Sequence, residues 1–302
     1  MNGPLRRLQV RAGRVLFEQV SGGSAGRVER ERIHGTPGPR WFAADSAIVR
    51  VHGDASMFVG GLRALLLQSL HPLAMAAVAD HSGYRGDPWG RLGRTSTFLA
   101  QTTFATAEQS QQAVDVVKAV HRHVRGTAHD GRPYRADDPW LLRWVHVAEV
   151  DSFLASHQRY GARPLDAAGC DAYLDEAADV AARLGAQDPP RSVTALERAL
   201  QEYRGELEPT AASDDVARFL LAEPPLPWAA RAPYSLLAAA SYGSLPRWAQ
   251  QLVPAPWPLR GEPAPVRGGG HLATRAIRWA LAGDPPPRTP DPGTRDEALG
   301  RP

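Results

Sequence analysis

Residues Ala107–Gly126, AEQSQQAVDVVKAVHRHVRG, carry the clearest structural signature in the chain. Thr106 and Gln109 fit the S/T-x-x-E/Q capping box, in which each side chain satisfies the other residue's backbone N–H. Gly126 fits the position just past a last helical turn. One helix over 107–126 is therefore expected. At 100° per residue, Ala113, Val117, Val120 and Val124 form an apolar stripe, and His121 lies on its edge, flanked by Val114, Val117 and Val124. His123 points well away from that stripe. One imidazole is thus expected to face the interior and its neighbour to face water, with Arg125 one turn after the inward one.

Working outward, Asp87-Pro88 and Asp138-Pro139 each pair a capping carboxylate with a proline at the first helical position. They predict helices from Trp89 to about Phe104, carrying Arg91, Arg94 and Thr95, and from Pro139 to about His157. The second has Leu142, Val145, His146, Val150 and Phe153 along one side. Upstream, the apolar run after Asp54 predicts a helix ending at Pro72, then a short one at an angle over Leu73–Asp80. Downstream, helices are expected at Ala167–Leu184, Ala195–Tyr203, Asp214–Leu221, Tyr234–Ser244, Arg247–Leu252 and His271–Ala282, with a proline-rich loop at Glu223–Pro233. The reading is an all-α single domain over 41–282, with a partly ordered N-terminal arm over 1–40 and a disordered tail over 283–302.

Composition narrows the function. The 302 residues are 43% hydrophobic and 22% charged, enough for a sizeable core. With Cys170 alone, disulfides, zinc-thiolate sites and iron–sulfur clusters held by this chain are excluded. A net charge of +3, with basic residues spread along the chain and no aromatic clustering among them, does not support nucleic-acid binding. There is no signal-type apolar region and no segment of bilayer-spanning length, so a cytoplasmic location without a transmembrane segment is expected. H-E-x-x-H, paired E-x-x-H and G-x-S-x-G are all absent, and Gly268–Gly270 lacks the strand and the Lys-Ser/Thr of a phosphate loop.

Ten histidines are present. His34, His52, His129 and His271 sit in polar or glycine-rich context and read as exposed. His71, before Pro72, suits a helix end where it bonds free carbonyls. His121 and His146 are the inward-facing pair. A histidine on an apolar face is either a hydrogen-bonded core residue or a ligand, and the residues alone leave both open. Among metal sites, the pattern leaves one needing a single protein ligand, and haem, whose macrocycle supplies four nitrogens, is the obvious such cofactor.

The succession ALLLQSLHPLAMAAVADHS, DPWGRLGRTSTFLAQTTFA, the H-x-x-x-R-G of His121–Gly126, and DGRPYRADDPWLLRWVHVAEVDSFL resembles the MpaB-type oxygenase family, whose domain is shared with the haem-containing latex clearing protein, or rubber oxygenase. The likeness is good over about 54–154 and weaker beyond, mainly through PYSLLAAASYGSLPRWAQ. It implies an all-α fold with a globin-like core and one haem b, with His121 as the proximal ligand and Arg125 reaching a haem propionate or a nearby carboxylate. His146, Asp151 or a backbone carbonyl would accept from the His121 ring N–H. On the distal side the family's R-x-x-K-T corresponds to Arg91-Leu92-Gly93-Arg94-Thr95. Arginine replaces lysine there, and a guanidinium cannot donate a lone pair to iron, so lysine-type ligation is not expected. The distal glutamate of rubber oxygenase has no counterpart: the register gives Met75, and Asp80 is the nearest carboxylate.

The resemblance thus implies a haem b-dependent oxygenase or related oxidoreductase using dioxygen on a lipophilic small molecule, with Arg91, Arg94 and Thr95 as candidates to hydrogen-bond oxygen or substrate. Oxidative alkene cleavage is the rubber-oxygenase mode. The alternatives are a haem protein of other oxidative chemistry, such as a dehydrogenase or peroxygenase, and a non-catalytic helical binding protein whose inward histidines satisfy one another.

Overall fold

A computed structural model describes residues 3–21, 24–81, 88–224, 226–257 and 261–285. Within them the chain is all α apart from one short hairpin, as expected. The first half comprises α1 (Pro4–Ser21), α2 (Ser24–Gly35), α3 (Ala47–His52), α4 (Met57–Gln68), α5 (Pro72–His81), α6 (Pro88–Phe104) and α7 (Ala107–His121), followed by strands β1 (Arg125–Thr127) and β2 (Pro133–Arg135). The second half comprises α8 (Pro139–Tyr160), α9 (Ala167–Leu184), α10 (Val193–Tyr203), α11 (Ala211–Leu221), α12 (Trp228–Gly243), α13 (Arg247–Leu252) and α14 (Ala264–Leu281).

The core is built on α4 and α8, the most extensive helix pair in the molecule. Close approach is possible because Gly60 faces Phe153: a Cβ there would stand 2.9 Å from the Phe153 Cδ1. Leu66, Leu67, Trp144, Val147 and Ala148 are fully buried at this seam, each large side chain contributing roughly 1.5–3 kcal/mol of transfer free energy. Arg63 on α4 pairs with Asp151 on α8 at 2.7 Å and donates to the Ser152 Oγ at 2.8 Å. Asp151 is therefore held by Arg63. The bend between α4 and α5 is 106°, the break expected around Pro72.

Helix α8 does not have the one-sided stripe predicted for it. Buried residues occur on all its faces, including Arg143, Trp144, His146, Ser152, Ser156 and His157, while Val145 is exposed. It is a central helix walled by α4, α9, α10 and α3.

Helix α7 begins as predicted: the Gln109 N–H donates to the Thr106 Oγ1 at 3.3 Å, and the Thr106 N–H to the Gln109 Oε1 at 3.2 Å. Its end differs. The helix stops at His121 and the chain turns into β1, where Gly126 pairs with Tyr134 and Arg125 with Arg135. Gly126 is thus a strand residue, needed because a Cβ there would collide with the Tyr134 phenol. The buried face is also rotated from the valine stripe: Ser110, Ala113 and Val114 are buried, whereas Val116 and Val120 are exposed. The Ser110 Oγ donates to the Gln101 carbonyl of α6, so a polar residue takes the seat facing that helix.

Two further expectations are corrected. The segment 223–233 is not all loop, since α12 begins at Trp228 and contains Pro233. Helix α14 starts at Ala264 and runs through the glycine triplet. Gly269 and Gly270 bring α14 onto α12 and α8; a Cβ at Gly270 would lie 2.6 Å from the Tyr160 Cε1 and 2.8 Å from the Ala240 Cβ. In the segment 1–40, read as an arm, α1 lies on α14 and α6, and α2 on α6. Of the tail 283–302, Asp284 pairs with Arg30 at 3.2 Å and residues 286–302 lie outside the described residues.

Candidate active site

His121 closes α7. At 100° per residue it shares an arc with the buried Ser110 and Val114, so it sits at the centre of the helix's true inward face and not on its edge. It is half-buried, and burial holds its imidazole below the ordinary pKa, partly offset by the charge of Asp137. Neutral imidazole is the form with a lone pair to donate. His123 is exposed, as expected, and its Nδ1 lies 2.8 Å from the Ala119 carbonyl. Arg125 does not lie one helical turn from His121: it is in β1, exposed, and donates to the Arg122 carbonyl at 2.6 Å.

His146 is buried in the middle of α8, as predicted. Its Nε2 has no hydrogen-bond partner, and burial, reinforced by the charge of Arg143, pushes its imidazole down to about 3. Helix α7 packs on α6 and α9 and α8 chiefly on α4. The two helices bearing the inward histidines therefore do not form a major packed pair.

Around α8 lies a polar interior that the pattern of the sequence did not reveal. One turn from His146, burial pushes the Glu149 carboxyl up to about 7. Its charge in turn helps to raise the phenol of the fully buried Tyr173 on α9. His52, read as exposed, is instead held inside. Its Nδ1 shares a hydrogen bond with the Thr103 Oγ1 at 2.8 Å, its Nε2 faces the Tyr173 hydroxyl at 3.4 Å, and burial with the charge of His157 pushes it down to about 3. Glu149 and His52 are both half-buried. His157 is buried with its Nδ1 unpartnered. The one sequence signal for Glu149 was its place three residues after His146.

His71 does not cap a helix end. It is fully buried between Trp144 and Tyr203, its Nε2 3.3 Å from Glu206, whose carboxylate also accepts from the Trp140 Nε1 at 3.0 Å. Of the proposed distal residues, Arg94 and Thr95 are exposed on α6, while the side chain of Arg91 lies outside the described residues. Met75 is buried, and Asp80 accepts from the Tyr134 hydroxyl at 2.6 Å. Among the described residues no group of three or more His, Cys, Asp or Glu side chains converges to hold a metal ion.

Residues 49–279 match the family described as ER-bound oxygenase mpaB/B'/rubber oxygenase, catalytic domain. The chain belongs to this family. No curated protein and no solved structure matches it. The mpaB/rubber oxygenase span covers most of α3 through nearly all of α14, and so every candidate residue above, while α1 and α2 precede it. Membership in an oxygenase catalytic-domain family implies a substrate and dioxygen. No single helix among the described residues is long and apolar enough to cross a membrane.

Proposed function

We propose that this chain is a haem b-dependent oxygenase acting with dioxygen on a lipophilic small molecule, with His121 as the axial imidazole. The observation that carries the reading is the placement of His121 at the centre of the inward face of α7, where burial favours its neutral form. Support also comes from the buried His146 Nε2, which is left without a protein partner. Bound haem would supply dioxygen binding and activation, and in the rubber-oxygenase mode the outcome is oxidative cleavage of an alkene to carbonyl products.

The chain's own residues divide the remaining work. Trp144, Phe153 and Tyr173 wall the interior against water. Glu149 is the residue able to hold or release a proton near neutrality, at its carboxyl oxygens. It stands on α8, away from the α5 position of the rubber-oxygenase glutamate, which here is Met75. Arg94 and Thr95, exposed on α6, serve at a rim open to substrate, with Arg91 on the same helix. Arg125, exposed at the start of β1, is suited to a carboxylate at the edge of the site, such as a propionate.

Purified protein expressed with haem supplied should show a Soret band. His121→Ala should abolish it and His123→Ala should leave it intact. A band that survives His121→Ala but is lost in His146→Ala would move the ligand to α8. No band in well-folded wild-type protein would leave the helical binding protein as the reading. Product analysis with candidate alkenes, with and without peroxide, separates alkene cleavage from dehydrogenase or peroxygenase chemistry.

A further inference from the structure

Helix α1 lies outside the span of the oxygenase family. Arg6, Arg7, Arg11 and Arg14 are all exposed, and at 100° per residue Arg7, Arg11 and Arg14 fall within an arc of about 60°. Leu8 and Val15 lie together along one side of that arc, 58% and 59% exposed, with Leu5 at 70% beyond them. The inward side is already used: Gly13 sits against the Ala280 backbone, and the Gln9 Nε2 donates to the Trp279 carbonyl at 2.8 Å. The outward array is therefore not left over from packing on α14.

The charge on this face is of one sign. No acidic residue occurs before Glu18, and Glu18 is paired with Arg27 at 3.0 Å. Helix α1 thus carries four arginines against a single acidic residue that is already paired. The four arginines stand beside Val10 and Val15 on an open side of the helix. Guanidinium groups arrayed in this way suit phosphate oxygens.

We propose that the outward face of α1 docks the protein onto an anionic phospholipid surface, with Arg6, Arg7, Arg11 and Arg14 meeting the headgroup phosphates and Leu8 and Val15 entering the acyl boundary. Interleaved cations and exposed aliphatics are the pattern of an interfacial helix. A nucleic-acid surface would have no use for the aliphatic residues, and no aromatic residue stands among the arginines to stack on bases. The proposal holds whatever cofactor the interior binds.

The test is co-sedimentation of the full-length protein with phosphatidylcholine vesicles, with and without phosphatidylglycerol. Binding is expected only to the anionic vesicles and should weaken as salt is raised. Each arginine near the surface contributes on the order of fivefold in partition, so Arg7→Gln, Arg11→Gln and Arg14→Gln together should lower it roughly 100-fold. These side chains point away from the core, and an unchanged thermal melt checks that the variant folds. Leu8→Ser with Val15→Ser should weaken binding while preserving its salt dependence. Equal binding to neutral and anionic vesicles, undiminished binding by the triple variant, or a single-stranded RNA bound with the same arginine dependence but indifferent to Leu8 and Val15 would each overturn the proposal.

Discussion

Helices α7 and α8 both present a histidine inward, and they do so in opposite ways. Helix α7 is a capped, amphipathic helix in which Ser110, Ala113 and Val114 are the buried residues, and His121 emerges at its end, half-buried. Helix α8 has thirteen buried residues among its twenty-two, and His146 sits in the dry middle of it. A polar group at the end of an outer helix can reach water or a ligand at little cost. One in the centre of a buried helix costs free energy unless something satisfies it. The unpartnered Nε2 of His146 and the raised carboxyl of Glu149 are therefore the more informative features, although the family motif directs attention to α7.

On this contrast, α8 should be far less tolerant of change than α7. The largest effect on stability is expected from Arg63→Ala, which strips Asp151 of its partner at the α4–α8 seam. A cost of about 3–5 kcal/mol is expected, at the lower end because Asp151 keeps some exposure, and denaturant unfolding measures it. A cost below about 1 kcal/mol would show that the seam does not depend on the pair.

The interior of α8 should also govern how stability depends on pH. Below pH 6.5 the unfolded chain protonates its histidines, while folded His52 and His146, both held near 3, stay neutral. The stability gained by keeping them neutral is complete above 6.5 and is lost as pH falls towards 3, at up to about 1.4 kcal/mol per unit for each. Glu149 acts in the other sense. Raised from 4.5 to about 7, it is protonated in the folded chain and ionised in the unfolded chain between those values, so its contribution is lost as pH rises through 7. Glu149→Gln should therefore be more stable than wild type above pH 7, by on the order of 1–2 kcal/mol, and should lose stability more steeply between 6.5 and 4.5. Urea midpoints of the two proteins that run parallel across this range would show that Glu149 is not enclosed.

The smallest expected effect belongs to α7. Thr106→Ala removes one side of the capping box and should cost about 1 kcal/mol, read as a modest drop in thermal midpoint with the Soret band unchanged. Loss of haem in that variant would mean that the whole of α7, not only its last turn, is needed to hold the site.

Much of the architecture was legible because end signals are local. Asp138-Pro139 opens α8, Asp166 caps α9 and Gly185 ends it in the left-handed conformation, and the expected bounds of α9 and α13 coincide with the observed ones. The errors arose where a glycine or proline had a long-range role. Gly126 admits the Tyr134 ring and Gly270 admits Tyr160; both look like helix breakers when only their neighbours in sequence are considered. The exposure of Val116 and Val120 has a related cause, since burial on α7 is set by where α6 and α9 lie and not by hydrophobicity alone.

The sequence by itself determined the helical class, the start of α7, the inward turn of His121 and the outward turn of His123, because capping and a 3.6-residue period are properties of a single segment. Only the tertiary structure decided which faces are buried and which polar groups are enclosed with them. It alone showed Glu149 drawn up to about 7 near Tyr173, Asp151 committed to Arg63, and His146 without a partner. Desolvation depends on atoms brought together from distant parts of the chain, and no pattern within one helix encodes it.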